Sequence, residues 1–471
     1  MRTLPIRLRM EARKAGRLSL VWVFFAFGLP VQAAEITDVA DAADEVRYGS
    51  YQERDPFDVY FQTHFGMDFD NGKITREPMD RGGVTSENCG PNNARNCLPA
   101  DELRYNINTA RMHFNLELGL FRDLAFTLGW SYVVFQSFEF QYADRVSAEN
   151  STIDPNYDVN GDQQVNANDT LFANDFTSRR VGSGPLELGL RWAPLSDLRD
   201  VSKPTWVLAF QWSSPWTTTT YNPGEDFSGG RTRPVGDGTH RLTFSTALSK
   251  RIGNFGLIGI DPDQNRRGYL DPYFSLSYSY PIPDMNMALD PLTDDNFGAP
   301  PSHEATIRGG FEVVALENLR QHRKVSVDLG LISTFYSSGR NYSILTDPLG
   351  ELTYTEQYTY VGGILGFYAQ ATEFIRLKAG LTLGYNTAHF LTNENVGRDA
   401  NQDGQVIPPD QDPQETKDEL NPYFCGNSPG DLCDNPNNGG KGQPSYDQVG
   451  FRLRDEAHLS WSWFISMMFT F

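Results

Sequence analysis

The sequence predicts an all-β fold, a membrane-spanning antiparallel up-and-down barrel of about twelve strands. Three observations predict it. Apolar and polar residues alternate with a period of two along many segments. The links between those segments are by turns short and long. The final run, WSWFISMMFTF, alternates again and ends on Phe471. A helical membrane protein is excluded, because Gly and Pro interrupt the chain throughout and mean hydropathy is −0.47. Aromatic residues are nonetheless 13% of this polar chain, as a barrel with interfacial girdles requires.

Taken in order, residues 1–33 read as a secretory signal peptide. Arg2, Arg7, Arg9, Arg13, Lys14 and Arg17 form a basic region, Leu18 to Val31 an apolar core, and Val31-Gln32-Ala33 a small-residue exit. The apolar run is shorter than the roughly 20 residues of a spanning helix. Residues 34–56 are expected to be a periplasmic tail and 57–471 the barrel. Removing the signal takes the net charge from −20 to −25. So acidic a product is no nucleic-acid binder, since phosphate contacts need Lys and Arg.

The clearest strands flank the Arg122-Asp123 turn. Met112, Phe114, Leu116, Leu118 and Leu120 share one face, against Arg111, His113, Asn115 and Glu117. Leu124, Phe126, Leu128, Trp130 and Tyr132 repeat the pattern. Ten further segments follow it, near 58–70, 184–194, 205–216, 239–252, 271–282, 304–317, 324–342, 354–371, 375–392 and 448–471. An even number of strands, each of about 10 residues or more, suits a bacterial barrel. Short links fall near 122–123, 195–204, 318–323 and 372–374. Long ones fall at 71–103, 144–178, 217–238, 283–303, 343–353 and 393–447, and are expected to be extracellular. The long link 253–270 breaks the rule; either residues 255–260 extend a strand or this turn is elaborated.

The final run resembles the C-terminal assembly signal of bacterial outer-membrane barrels, with Met467, Phe469 and Phe471 at alternate positions. The resemblance implies outer-membrane lipid and the barrel assembly machinery as partners, a Gram-negative outer membrane as location, and both termini in the periplasm. A soluble exported β-sandwich is the competing fold. It has shorter strands and no use for girdle residues such as Trp130, Tyr132, Trp206, Trp212, Tyr278 and Tyr280.

Two loops carry metal chemistry. DVNGDQQVNAND places oxygen donors at Asp158, Asn160, Asp162, the Gln164 carbonyl, Asn166 and Asp169. DANQDGQVIPPD places them at Asp399, Asn401, Asp403, the Gln405 carbonyl and Asp410. Calcium takes six to eight oxygens, and an EF-hand loop supplies them from these positions. The first loop resembles the calcium half of a dockerin repeat, although the two copies lie far apart and Pro408-Pro409 forbids a following helix in the second. The resemblance therefore implies structural Ca2+ and not a dockerin's partner. Position 6 is Gly404 in the second loop but Gln163 in the first, a weaker turn. Seven acids between 144 and 178, and ten between 396 and 447, would repel without the ion. Cys89 with Cys97, and Cys425 with Cys433, are expected to form two local disulfides in an exported chain.

The lumen-facing positions carry both signs: Arg111, Glu117, Glu139, Glu187, Arg191, Arg241, Arg308, Glu312, Asp328, Arg376, Lys378, Arg452, Arg454 and Glu456. At twelve strands the interior is narrow, so these charges are expected to cross-pair. That favours a narrow passive, porin-like channel for small solutes. The alternatives are a structural or surface-interaction barrel that displays its loops and, more remotely, an enzyme. His64, His113, His240, His303, His389 and His458 are the candidates for catalysis; no family motif surrounds them, and no enzymatic activity is expected.

Overall fold

The computed structural model describes residue 37 and residues 59–76, 100–121, 123–144, 146, 175–197, 200, 202–218, 232–252, 265–266, 269–283, 301–318, 323–349, 352–372, 374–393 and 452–471. Among them, twelve long strands form one antiparallel sheet that closes on itself: β1 Val59–Arg76, β2 Ala100–Phe121, β3 Leu124–Tyr142, β4 Asp175–Leu195, β5 Thr205–Ser214, β6 Thr239–Ser249, β7 Tyr269–Pro283, β8 Glu304–Asn318, β9 Arg323–Tyr336, β10 Tyr358–Gln370, β11 Ile375–Asn386 and β12 Leu453–Thr470. Every strand pairs with its neighbour in sequence, and β1 pairs with β12 from Tyr60↔Thr470 to Arg76↔Leu453. The seam closes to the last residue. Val59 N–H donates to the Phe471 carbonyl at 3.0 Å, and Phe471 N–H to the Val59 carbonyl at 2.9 Å. Closure leaves the sheet with no free edge across the lipid, which is what lets a sheet stand there.

Outward positions form the predicted apolar belt. Phe274, Leu276, Tyr278 and Tyr280 on β7 are exposed, as are Leu329 and Leu331 on β9 and Ile465 and Met467 on β12. Such residues would be buried in a soluble protein; here their solvent is acyl chain.

β1 and β2 run past the expected boundary at residue 70, reaching Arg76 and restarting at Ala100, and β4 starts at Asp175. Both ends of the predicted 71–103 loop, residues 71–76 and 100–103, are therefore strand. The reason is an exchange of faces. On β2 the outward residues pass from Leu118, Leu116, Phe114 and Met112 to Asn108, Asn106 and Arg104, while Ile107, Tyr105 and Leu103 turn inward. Beyond the lipid, the barrel has a water-soluble section with an apolar inside. Ile74, Leu103, Tyr105, Ile107, Phe138, Phe140 and Leu453 form its core. Exposed pairs outside it, Lys73–Asp101 at 2.9 Å and Arg104–Asp144 at 2.7 Å, mark the wet surface.

Bulges correct three of the lumenal assignments. Ala457, with φ 52°, is an extra residue on β12 opposite the register shift between Asn71 and Lys73. It exchanges the faces, so Asp455 points inward while Arg454 and Glu456 face out. The shift between Val133 and Gln136 does the same on β3. Gln136, Phe138 and Phe140 are buried, and Glu139 faces out.

The short links and both barrel termini lie at one end. Asp123 has φ 54°, as the tight turn before β3 requires, and its carbonyl accepts from Ala193 N–H at 2.8 Å. The long link after β6 is an elaborated turn: Asn265–Arg266 pairs with Asn318 and Glu317 of β8. Asp197, after β4, takes a two-pronged bond from Arg251, after β6, with both contacts at 2.8 Å. Burial opposes the charge on Asp197, but the guanidinium outweighs it and holds the carboxyl below the ordinary range. A depressed folded pKa contributes stability above the unfolded value, lost as pH falls through the folded one. Asp197→Asn should therefore lower the unfolding temperature by a few degrees at neutral pH. The gap from wild type should close below the ordinary aspartate value of about 3.9. Thermal unfolding of both proteins across pH checks this.

Candidate functional site in the barrel lumen

The lumen divides lengthwise. On the β1 and β10–β12 side it is filled by rings. Tyr360 of β10 lies flat over Gly384 of β11, where a Cβ would fall inside its ring, and Tyr105 likewise covers Gly72. The absent side chains let the aromatics lie against the wall.

Above these rings sits a buried polar cluster. His458 bonds Asp455 through Nδ1 at 2.7 Å and Asp70 through Nε2 at 3.0 Å. Tyr105 donates to Asp455 at 2.7 Å, and Ser460 donates to Asp70 at 2.9 Å. The cluster ties β1, β2 and β12 together. Its hydroxyl bonds the carboxylate rather than the imidazole, so it lacks the Ser–His contact of an acyl-transfer site. His113 also faces the lumen, whereas His240 faces outward and stacks on Trp212 at 5.8 Å.

The predicted cross-pairing is present. Arg191 meets Glu117 at 2.8 Å, Arg111 meets Asp68 at 3.2 Å, and Arg308 meets Asp328 at 3.0 Å. Lys324 meets Glu312 at 2.9 Å and Arg241 meets Glu304 at 2.7 Å.

Apart from Arg241, the inner wall of β5–β7 is different. Gln211 and Ser213 on β5, Thr243 and Ser245 on β6, and Ser275, Ser277 and Ser279 on β7 all face inward and remain partly accessible. Thr243 Oγ1 bonds Ser279 Oγ at 3.1 Å. These short side chains leave a hydroxyl-lined strip along the wall.

One link folds into the barrel. The strand expected over 324–342 stops at Tyr336. Gly339–Asn341 then pairs with Thr353–Thr355 in a hairpin carrying a one-turn helix, Thr346–Leu349. The expected external loop 343–353 instead enters the mouth. Leu345, fully buried, joins the apolar core above the lipid belt. Asp347, its side chain 1% exposed, takes Arg180 Nη2 at 2.6 Å, lies 3.8 Å from Arg233 Nε, and accepts from Ser178. Arg233 is held by backbone bonds to β4 at 2.8 and 3.1 Å. Asn341 pins the hairpin to Ser302 at 2.7 Å. The alternation does not show this latch; its signal is the apolar residues Ile344, Leu345, Leu349 and Leu352 within the link.

Of the predicted sites, Met467, Phe469 and Phe471 lie at the seam and point outward. Both calcium loops and all four cysteines lie outside the described residues.

No family model matches the chain, and no curated protein matches its sequence. Among solved structures it is similar to an outer membrane channel from Pseudomonas putida F1, with 11% identity, 91% of this chain and 100% of that chain covered, and a TM-score of 0.34. It is also similar to the transport unit of the autotransporter AIDA-I from Escherichia coli, with 8% identity, 75% and 91% coverage and a TM-score of 0.33. A Pseudomonas aeruginosa FadL homologue matches with 9% identity, 88% and 90% coverage and a TM-score of 0.28.

Proposed function

We propose that the chain is a Gram-negative outer-membrane barrel that acts as a narrow passive channel for small polar solutes. The signal peptide is removed, both barrel termini face the periplasm, and the long links face the exterior. The hydroxyl strip on β5–β7 carries this reading. A wall of Ser and Thr offers donors and acceptors without net charge, in a lumen where five ion pairs neutralise neighbouring charges. No residue is assigned a catalytic role. Planar-bilayer conductance of the purified protein tests the reading. Ser277→Trp, in the middle of the strip, should reduce single-channel conductance several-fold with the barrel intact on a gel. Equal conductance in the two proteins would place the path elsewhere.

A second reading, a barrel that displays its loops, draws on the hairpin latched in the mouth. Absence of any conductance favours it. In both readings Ca2+ orders the loops at Asp158–Asp169 and Asp399–Asp410. Calcium should then protect residues 144–178 from protease on intact cells, since an ion bound to the ordered state stabilises it. Chelator, or Asp158→Ala with Asp162→Ala, should expose the segment. Magnesium should substitute poorly because it sheds water reluctantly. Cleavage indifferent to calcium would remove the metal from the account.

A further inference from the structure

At the end of the barrel that carries the termini, the lumen wall changes character. Ala125, Ala193, Val207 and Ala247 form a buried apolar patch with Tyr60 and Met468, instead of the hydroxyls and ion pairs found higher up. Beside it on β6 is the inward Ser249, 5% exposed. Thr37, which precedes the first strand by more than twenty residues, is itself only 9% exposed, and its Oγ1 lies 2.8 Å from Ser249 Oγ. A residue of a free tail would be solvated.

We infer that the segment around Thr37, residues 34–45, docks inside this end of the lumen. The sequence AEITDVADAADE suits the place. Ile36, Val39, Ala40 and Ala43 supply small apolar groups for the Ala/Val patch. Glu35, Asp38, Asp41, Asp44 and Glu45 supply negative charge without a single base. Arg376 and Lys378 of β11 face the lumen at the same end, over the rings of Tyr60 and Tyr368. The chain from Thr37 to Val59 is long enough to leave the lumen and return to the rim, since each residue spans up to about 3.3 Å. On this inference the first part of the expected periplasmic tail is an internal element. The inference stands whether or not the lumen conducts.

Cross-linking tests it in the processed, full-length protein. With Cys89, Cys97, Cys425 and Cys433 replaced by serine, Thr37→Cys and Ser249→Cys should form a disulfide in high yield, identified by mass spectrometry of linked peptides. Thr37→Cys with Leu248→Cys, whose side chain faces lipid, sets the background. Replacing Glu35, Asp38, Asp41 and Asp44 by their amides should lower the yield several-fold. A Ser249 yield equal to the Leu248 background overturns the docking. A yield unmoved by the amides overturns charge attraction as its cause. Should the serine background fail to fold, a photo-cross-linking residue at position 37 of the native-cysteine chain must label the β6 peptide; labelling spread evenly over other peptides overturns the proposal equally.

Discussion

Asp347→Ala is expected to raise single-channel conductance several-fold and to make Arg340 a trypsin site on intact cells. Asp347 is the only acid that the inward hairpin offers to Arg180 and Arg233 among the described residues, and it does so in a dry setting. Removing one partner of a buried pair costs about 3–5 kcal/mol, because the other charge is left buried and unmatched. The hairpin's other anchors include Leu345 in the apolar core, Asn341 on Ser302 and the Tyr354 carbonyl, which accepts from Asn393 N–H at 2.8 Å; all are neutral. Asp347→Ala therefore favours the undocked hairpin, while the barrel, stabilised by its ladders and lipid-facing side chains, stays folded. Arg340, now half-buried against the Leu352 carbonyl at 3.4 Å, becomes accessible. Trypsin resistance identical to wild type would show that apolar packing alone holds the hairpin. Exposure without a conductance change would remove the hairpin from the permeation path.

Deleting Phe471 should have a still larger effect, leaving protein in the periplasm, degraded or aggregated, with the signal peptide still removed. Two functions meet in this residue. Its side chain completes the outward series Ile465, Met467, Phe469, and its backbone makes the last two hydrogen bonds of the seam with Val59. Phe471→Ala separates them, since it retains the backbone pair. A yield for Phe471→Ala near that of the deletion assigns the loss to the aromatic group. A normal outer-membrane yield of the deletion would contradict the assembly role altogether.

Most of the barrel is legible in the sequence, because a strand in lipid must show period two with apolar residues outside. All twelve strands fall where the alternation puts them. What escapes is what happens once the chain leaves lipid. In LRYNINTARMHF, Leu103, Tyr105 and Ile107 occupy the opposite parity to Met112 and Phe114. That change of parity resembles the end of a strand, yet the ladder continues with its faces exchanged. Bulges are harder still. Ala457 has no side-chain signature, and it alone decides that Asp455 rather than Glu456 joins His458. Contacts such as Asp347 with Arg180 depend on which link bends inward, and the local apolar residues that mark this link do not say which charges it will meet. The glycines that seat Tyr105 and Tyr360 were visible only as breaks in alternation.

The exchange of faces also bears on the height of the rim. β2 has 22 residues, whereas β5 has 10. At roughly 3.3 Å per residue and a tilt of about 40°, the first rises some 55 Å and the second about 25 Å, near the thickness of the apolar band alone. Among the described residues the ladder is therefore tall over β1–β4 and short at β5. The short strand is the one that carries the first residues of the strip of serines and threonines. On the channel reading proposed above, the two sides of the strand wall would offer an arriving solute unequal approaches, so that direction as well as size would matter.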